Sequence, residues 1–373
     1  MRSYLSIASM FENSSLGNQT NSSLTANEPL NINHKDCHAV DSTAAVVLKS
    51  LAYFVILLVS LVGNVLITLV VWKNKKLHKS INYFVVNMAV SDLFTPLTIM
   101  PIKIVDIISG SGGFKVHSPL VLGNILCKMC YFLPDVSVLV SVESLLLISM
   151  DRLAAVVFPL KSKRITSKVR LTCILCSWVI AIAVHSPYFY IMRLFPDGNE
   201  YYCQYDWEAA FDHDDTEKRY ITATFLTIIA VPICILIIVY AAIAWSLKRR
   251  QSQREKISAS ARSCGYQQNR QIFLLSVAIV TAFIVCMIPH LIVMFCKIFL
   301  WHLEDPPICA FQSVIPFVAL FMVHSWSAVN PCICFIFNKN YRHGLKQMLS
   351  HREGSFRMQT ETMRPKRRAS TSL

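Results

Sequence analysis

Seven stretches of the chain, at 45–72, 82–108, 123–155, 170–191, 219–246, 271–299 and 307–335, run for about 20 residues or more with few charges. At about 1.5 Å of rise per residue, a helix of that length crosses the roughly 30 Å hydrocarbon layer of a bilayer. Helices satisfy every backbone polar group within the segment, so long apolar runs predict helices there. The pattern predicts an all-α membrane protein, a seven-transmembrane-helix bundle. Its domain spans 45–337, after an Asn- and Ser-rich tail, 1–44, and before a basic segment, 338–373. Within that last segment Asn338 to Ser350 is amphipathic and basic, which predicts a short helix lying on the bilayer surface after helix seven.

Composition agrees with the pattern, since 54% hydrophobic against 16% charged residues is more apolar surface than a soluble domain buries. The net charge of +14 does not describe a nucleic-acid-binding domain, because Lys and Arg fall in short clusters between the apolar runs. Those clusters follow helix one (Lys73, Lys75, Lys76, Lys79), helix three (Lys161, Lys163, Arg164, Lys168, Arg170) and helix five (Lys248, Arg249, Arg250, Arg254, Lys256), and recur in the tail (Arg364, Lys366, Arg367, Arg368). Positive loops stay in the cytoplasm. The opposite connections are poorer in such residues, and the longest, Arg193 to Tyr220, is an acidic loop with eight Asp and Glu residues. The amino end is therefore expected outside a plasma-membrane protein, where the sequons at Asn13, Asn18 and Asn21 would meet glycosylation. Most of the thirteen cysteines lie inside apolar runs and read as small apolar helix residues.

A carboxylate at mid-membrane costs roughly 2.5–3.5 kcal/mol on insertion scales, so it should face the bundle interior or water. Asp92 is such a residue, about 16 Å into helix two counted from Ile81. Asn64, Ser141, Ser327 and Asn330 are the residues expected to face it. Two readings stand side by side: a hydrated pocket for a cation such as Na+, released on switching, and a satisfied structural hydrogen-bond network. Helix three runs from Cys127 to Asp151-Arg152, about 36 Å, so its two ends lie on opposite sides of the membrane. Cys127 is thereby placed to meet Cys203 in the acidic loop, a bridge that would pin the loop over the bundle mouth.

Gly63-Asn64, Asn87-Met88-Ala89-Val90-Ser91-Asp92, Cys127 with Cys203, Asp151-Arg152-Leu153, Trp178, Pro232 with Tyr240, Pro289 and Asn330-Pro331 follow one another helix by helix. This ordered set resembles the rhodopsin-like G-protein-coupled receptors over about 50 to 345. Ser137-Val138-Leu139-Val140-Ser141-Val142 and Phe337-Asn338-Lys339-Asn340-Tyr341-Arg342 resemble the peptide-receptor branch that includes galanin, neuropeptide Y, orexin and RF-amide receptors. The resemblance implies that Asp151 holds Arg152 at rest and that an outward swing of helix six frees it. Tyr240 would support the freed Arg152, while Pro232, Val142, Phe283, Pro289 and Pro331 would carry the packing change. It also implies heterotrimeric G protein and arrestin as cytoplasmic partners.

The chain departs from that pattern at named places. Met287 stands where most relatives carry Trp, Cys334 where they carry the Tyr of Asn-Pro-x-x-Tyr, and Asn269 where many have an acid. These changes imply raised basal activity, with Trp326 of helix seven filling the space near Asp92 that the absent helix-six indole leaves. Amine receptors carry a carboxylate at the position held here by Pro134, and Asp135 lies about 100° further round the helix. A basic peptide is the expected ligand, met by Asp106, Asp135, Asp206 and Glu208, with His290 and His324 lining the pocket. An amine or other small molecule, or a constitutively active receptor, is the alternative. A retinal protein is excluded by the absence of Lys from 307–335, and a transporter is disfavoured because no internal repeat or set of paired intramembrane charges is evident. Neither a nucleophile with its base nor a metal-ligand cluster suggests an enzyme. In the tail, Arg367-Arg368-Ala369-Ser370 resembles a kinase site at Ser370. Thr371-Ser372-Leu373 resembles a carboxyl-terminal ligand for a PDZ domain.

Overall fold

The computed structural model describes residues 41–78, 80–110, 113–116, 120–157, 166–197, 200–207, 213–255, 264–301 and 314–362. Seven helices in it are long and apolar enough to cross a membrane: α1 (Thr43–Lys73), α2 (Asn82–Ser109), α3 (Val121–Val157), α4 (Ser167–Ile191), α5 (Lys218–Ser246), α6 (Leu274–Leu300) and α7 (Val314–Phe337). An eighth helix, α8 (Lys339–Thr362), follows. It is longer than the Asn338–Ser350 segment expected, because the polar run beyond Ser350 contains no proline until Pro365. The α6 helix begins at Cys264, a turn and more before the apolar run, while α5 is one continuous helical rod from His213 to Glu255. Residues 307–313, expected to open helix seven, lie outside the described residues.

Prolines shape the helices by removing a backbone donor and crowding the carbonyl four residues earlier. In α2, Pro96 and Pro101 fall four residues after Asp92 and Leu97, and the helix breaks at Asp92-Leu93 and again at Thr98. At the second break Thr98 N and Oγ1 both donate to Phe94 O, at 3.0 and 2.6 Å. In α5 a wider π-helical turn, Phe225–Ala230, precedes Pro232 and makes room for its ring.

Large apolar side chains such as Leu51, Ile125, Leu175, Ile238 and Ile292 remain on the outside of the bundle, where lipid rather than protein is their partner. Inside, α3 runs through one core that includes Leu139, Val142, Phe283, Met287 and Trp326. Gly63 sets the α1–α7 distance, since a Cβ there would sit 2.7 Å from the Pro331 ring. Gly344 does the same between α8 and α1, where a Cβ would lie 2.8 Å from Val70 Cγ1.

The acidic connection, expected to be a loop, contributes two strands to a sheet whose third strand comes from the α2–α3 connection. The strands are β1 (Lys115–Val116), β2 (Met192–Asp197) and β3 (Glu200–Tyr205), paired antiparallel in the order β1-β3-β2. The register Asp197↔Glu200 leaves a two-residue connection of sequence Gly198-Asn199, a residue pair suited to tight hairpins. Cys127 of α3 and Cys203 of β3 form a disulfide with Cα atoms 5.6 Å apart, fixing the sheet to that end of α3.

Candidate functional site along α3

Three groups of polar side chains line α3 from end to end. Nearest the hairpin, Asp135 is 3% exposed and accepts a hydrogen bond from Tyr188 Oη of α4. Tyr188 packs with Tyr205 of β3 at 6.2 Å between ring centroids, so the hairpin forms part of the same wall. Around it the acids are paired: Asp106 with Lys103 at 3.2 Å, Asp206 with Arg193 at 3.3 Å and Glu200 with Lys115 at 3.3 Å. Asp135 is thus a deep carboxylate bonded to a phenol where its neighbours meet cations. His290 is fully buried, and His324 shares a hydrogen bond with Tyr53 Oη at 3.2 Å. Two lysines, Lys103 and Lys297, are buried in this half of the bundle. They sit inside apolar runs as plainly as the acids, and the sequence reading, which weighed the acids and two histidines there, missed them.

At mid-helix the Asp92 carboxylate accepts from Ser141 Oγ at 2.6 Å and from Asn330 Nδ2 at 3.1 Å. Asn64 and Ser327 do not bond to it. Asn64 Nδ2 donates to Ser60 O and Ser327 O at 2.8 and 2.9 Å, and Ser60 Oγ donates to Ser327 Oγ at 3.0 Å, which ties α1 to α7 beside the carboxylate. A cavity of about 20 Å³ lies between Asp92 and Asp135. Pro134, Ser137, Val138, His324, Trp326 and Ser327 are among its walls. Trp326 is 2% exposed and meets Phe283 edge-on at 5.2 Å, so an indole does fill this level of the core, from α7. Met287 is buried in α6 nearby in the same core.

Toward the far end, Asn87 joins three helices: its Oδ1 accepts from Trp178 Nε1 at 2.8 Å and its Nδ2 donates to Ser144 Oγ at 2.9 Å. Beyond it Arg152 donates to Asp151, and Arg170 of α4 reaches the other Asp151 oxygen at 3.4 Å. One carboxylate therefore faces two guanidinium groups. Ser149 Oγ donates to Tyr240 Oη at 3.3 Å, and Ser276 of α6 bonds to the same phenol, so Tyr240 links α3, α5 and α6 one turn from Arg152. Val142, Pro232 and Phe283 are all buried between this end and the cavity, as are Pro331 and Cys334 of α7.

The Tyr341 phenol of α8 donates to Asn82 Oδ1 at 3.0 Å, and Asn82 Nδ2 donates to Leu77 O at 2.5 Å. Burial, with Cys334 beside it adding to the effect, holds that phenol far above the ordinary tyrosine range, so it remains a donor. Asn13, Asn18, Asn21, Glu208, Ser370, Thr371 and Leu373 lie outside the described residues, as does the side chain of Asn269.

The seven-helix bundle thus has a sheet tied by disulfide to one end of α3, Asp92 of α2 beside the middle of α3 and an Asp-Arg pair at its other end. Residues 63–333 match the model of the 7 transmembrane receptor (rhodopsin family), and the chain belongs to that family, a family of receptors and not of enzymes. Among its relatives are neuropeptide FF receptor 2 of Mus musculus, 27% identical over 81% of this chain and 72% of that one, and a QRFP-like peptide receptor of Branchiostoma floridae, 25% identical over 80% and 76%. Neuropeptide Y receptor type 1 of Xenopus laevis is 25% identical over 80% of this chain and 79% of its own.

Proposed function

We propose that this chain is a plasma-membrane receptor, amino end outside, that binds a peptide under the hairpin and activates heterotrimeric G protein through the cleft at Arg152. The observation that carries the reading is the division of labour along α3: a buried acid beside the hairpin, a hydrogen-bonded acid at the centre and a clamped arginine at the other end. Peptide recognition is supported by relatives named for peptide ligands and by a hairpin that walls the candidate pocket.

The pairing of Asp106, Asp206 and Glu200 with cations refines the chemistry. A basic group on the ligand meets Asp135, whose Tyr188 bond it must share or displace. Binding shifts the population toward an open α6, which breaks the α3–α5–α6 link at Tyr240 and frees Arg152 from Asp151. The alternative ligand, an amine or other small molecule, uses Asp135 alone.

A library of basic peptides, amidated and free-acid, applied to cells expressing the chain tests this reading through calcium and cyclic-nucleotide responses. A response that Asp135→Asn weakens at least tenfold in potency supports the pocket. A receptor at the surface that answers small amines and no peptide overturns the peptide assignment.

A further inference from the structure

Asp151 is one carboxylate between two guanidinium groups. Its Oδ2 accepts from Nη2 of Arg152, the next residue of α3, and its Oδ1 meets Nη2 of Arg170 of α4 at 3.4 Å. All three side chains are largely buried, with exposures of 11%, 14% and 12% for Asp151, Arg152 and Arg170. Among the described residues Asp151 is the only acid bonded to either guanidinium, and the buried Nε of each has no protein partner. The cluster therefore carries one more positive charge than negative. Arg170 lies in the first turn of α4, a turn fixed by the N-cap Thr166, whose Oγ1 accepts from Val169 N at 3.4 Å. It is not on α6, the helix that the proposed mechanism moves.

A charge in a largely buried site is costly unless it is paired. With Arg152 as its one partner, Asp151 would lose its counter-charge whenever Arg152 departed, and that cost would hold the arginine in place. Arg170 lowers the cost, since it stays with Asp151 after Arg152 has gone. It also repels Arg152 while both are present. Both effects favour release. We propose that Arg170 is a positioning residue that competes with Arg152 for Asp151 and so sets how readily Arg152 is freed. The proposal rests on the reading of Arg152 as the coupling group. A neutral residue at 170 leaves a balanced Asp151–Arg152 pair and holds the receptor more firmly at rest. If Arg170 merely braced Asp151, its loss would do the opposite, because the carboxylate would be looser against Arg152.

Release of Arg152 is read without ligand or G protein from its own Nε–H, which is buried at rest and exchanges with solvent when the side chain leaves. Purified receptor carrying arginine isotopically labelled at nitrogen gives that signal by nuclear magnetic resonance, and its loss in Arg152→Lys assigns it. The wild-type chain is compared with Arg170→Gln, and with Arg170→Met should the first fail to fold. The expected result is exchange slower by about two- to fivefold in the neutral variant and near the wild-type rate in Arg170→Lys, which keeps the charge. Exchange that is unchanged or faster in the neutral variant, or slowed as much in an Asp151→Asn background, overturns the proposal. Ligand-free nucleotide exchange on G protein, measured on the same samples, is expected to fall in step. A slower Nε–H with unaltered nucleotide exchange upholds the competition for Asp151 and overturns Arg152 as the coupling group, so the two failures are told apart.

Discussion

Removing the Asn87–Trp178 hydrogen bond in a double-mutant cycle measures how strongly α2 and α4 are held together through a side chain. Trp178→Phe deletes the indole N–H but leaves a ring to pack on Phe94, whose centroid is 5.8 Å away. Asn87→Ala deletes the acceptor at 2.8 Å and also the N–H given to Ser144. The single Asn87→Ala change is expected to cost about 2–4 kcal/mol, because it removes a buried side chain and strands a donor and a hydroxyl. The pairwise coupling is smaller. Hydrogen bonds between membrane helices average roughly 0.6 kcal/mol with a maximum near 1.7. The short distance and deep burial place this one at about 1 kcal/mol, so the double change is expected to lower the melting midpoint by ~2–4 °C less than the summed single changes. The buried thiols Cys130, Cys286 and Cys334 supply the assay, since a thiol-reactive fluorophore reaches them only as the bundle opens. Melting losses that add to within ~1 °C would show that the bond contributes nothing and refute the claim that Asn87 ties these helices.

Breaking the Cys127–Cys203 bridge, which spans 76 residues, by changing both residues to Ser is expected to lower stability by at most about 4.5 kcal/mol in the chain-entropy picture. The same change is expected to weaken ligand binding more than it changes basal signalling, as a radioligand saturation curve on membranes would show. Tyr341→Phe leaves Asn82 Oδ1 without its donor and is expected to cost about 1–3 kcal/mol, with a spin label on α8 becoming more mobile; unchanged mobility would mean Gly344 packing alone docks the helix. Met287→Trp and Trp326→Asn are each expected to disturb ligand-stimulated signalling, and the pair to restore it, if an indole beside Phe283 is needed from either helix. Equal harmlessness of both single changes and the pair would sink that idea.

The seven helices could be read from their apolar runs because a bilayer demands about 20 such residues whatever the neighbours do. Their interruptions were less legible. Pro96 and Pro101 signal the breaks in α2, and the lack of proline before Pro365 permits the α8 extension to Thr362, but the π turn before Pro232 depends on packing that a run of letters does not carry. The hairpin had a signal, Gly198-Asn199 between alternating residues, and the acidity of the segment outweighed it. Polar positions told which residues turn inward and not with whom they pair. Ser141 and Asn330 reach Asp92 as their helix faces suggest, whereas Asn64 and Ser327 prefer each other by way of Ser60. The pairing of Asp106 by Lys103 had the same obscurity: two residues three apart on one helix neutralise a charge that looks available in the sequence.

In the proposed mechanism Arg152, held by Asp151 at rest, is the group through which this receptor drives nucleotide exchange. Receptor reconstituted with purified heterotrimeric G protein, with the rate of fluorescent GTP-analogue uptake compared among wild type, Arg152→Ala and Asp151→Asn, tests that role. Faster ligand-free exchange for Asp151→Asn, by about threefold or more if its bond to Arg152 contributes ~0.7 kcal/mol to the resting state, and exchange reduced to the receptor-free rate for Arg152→Ala, are the expected results. Wild-type rates in Arg152→Ala, with the protein folded, would rule Arg152 out as the coupling residue.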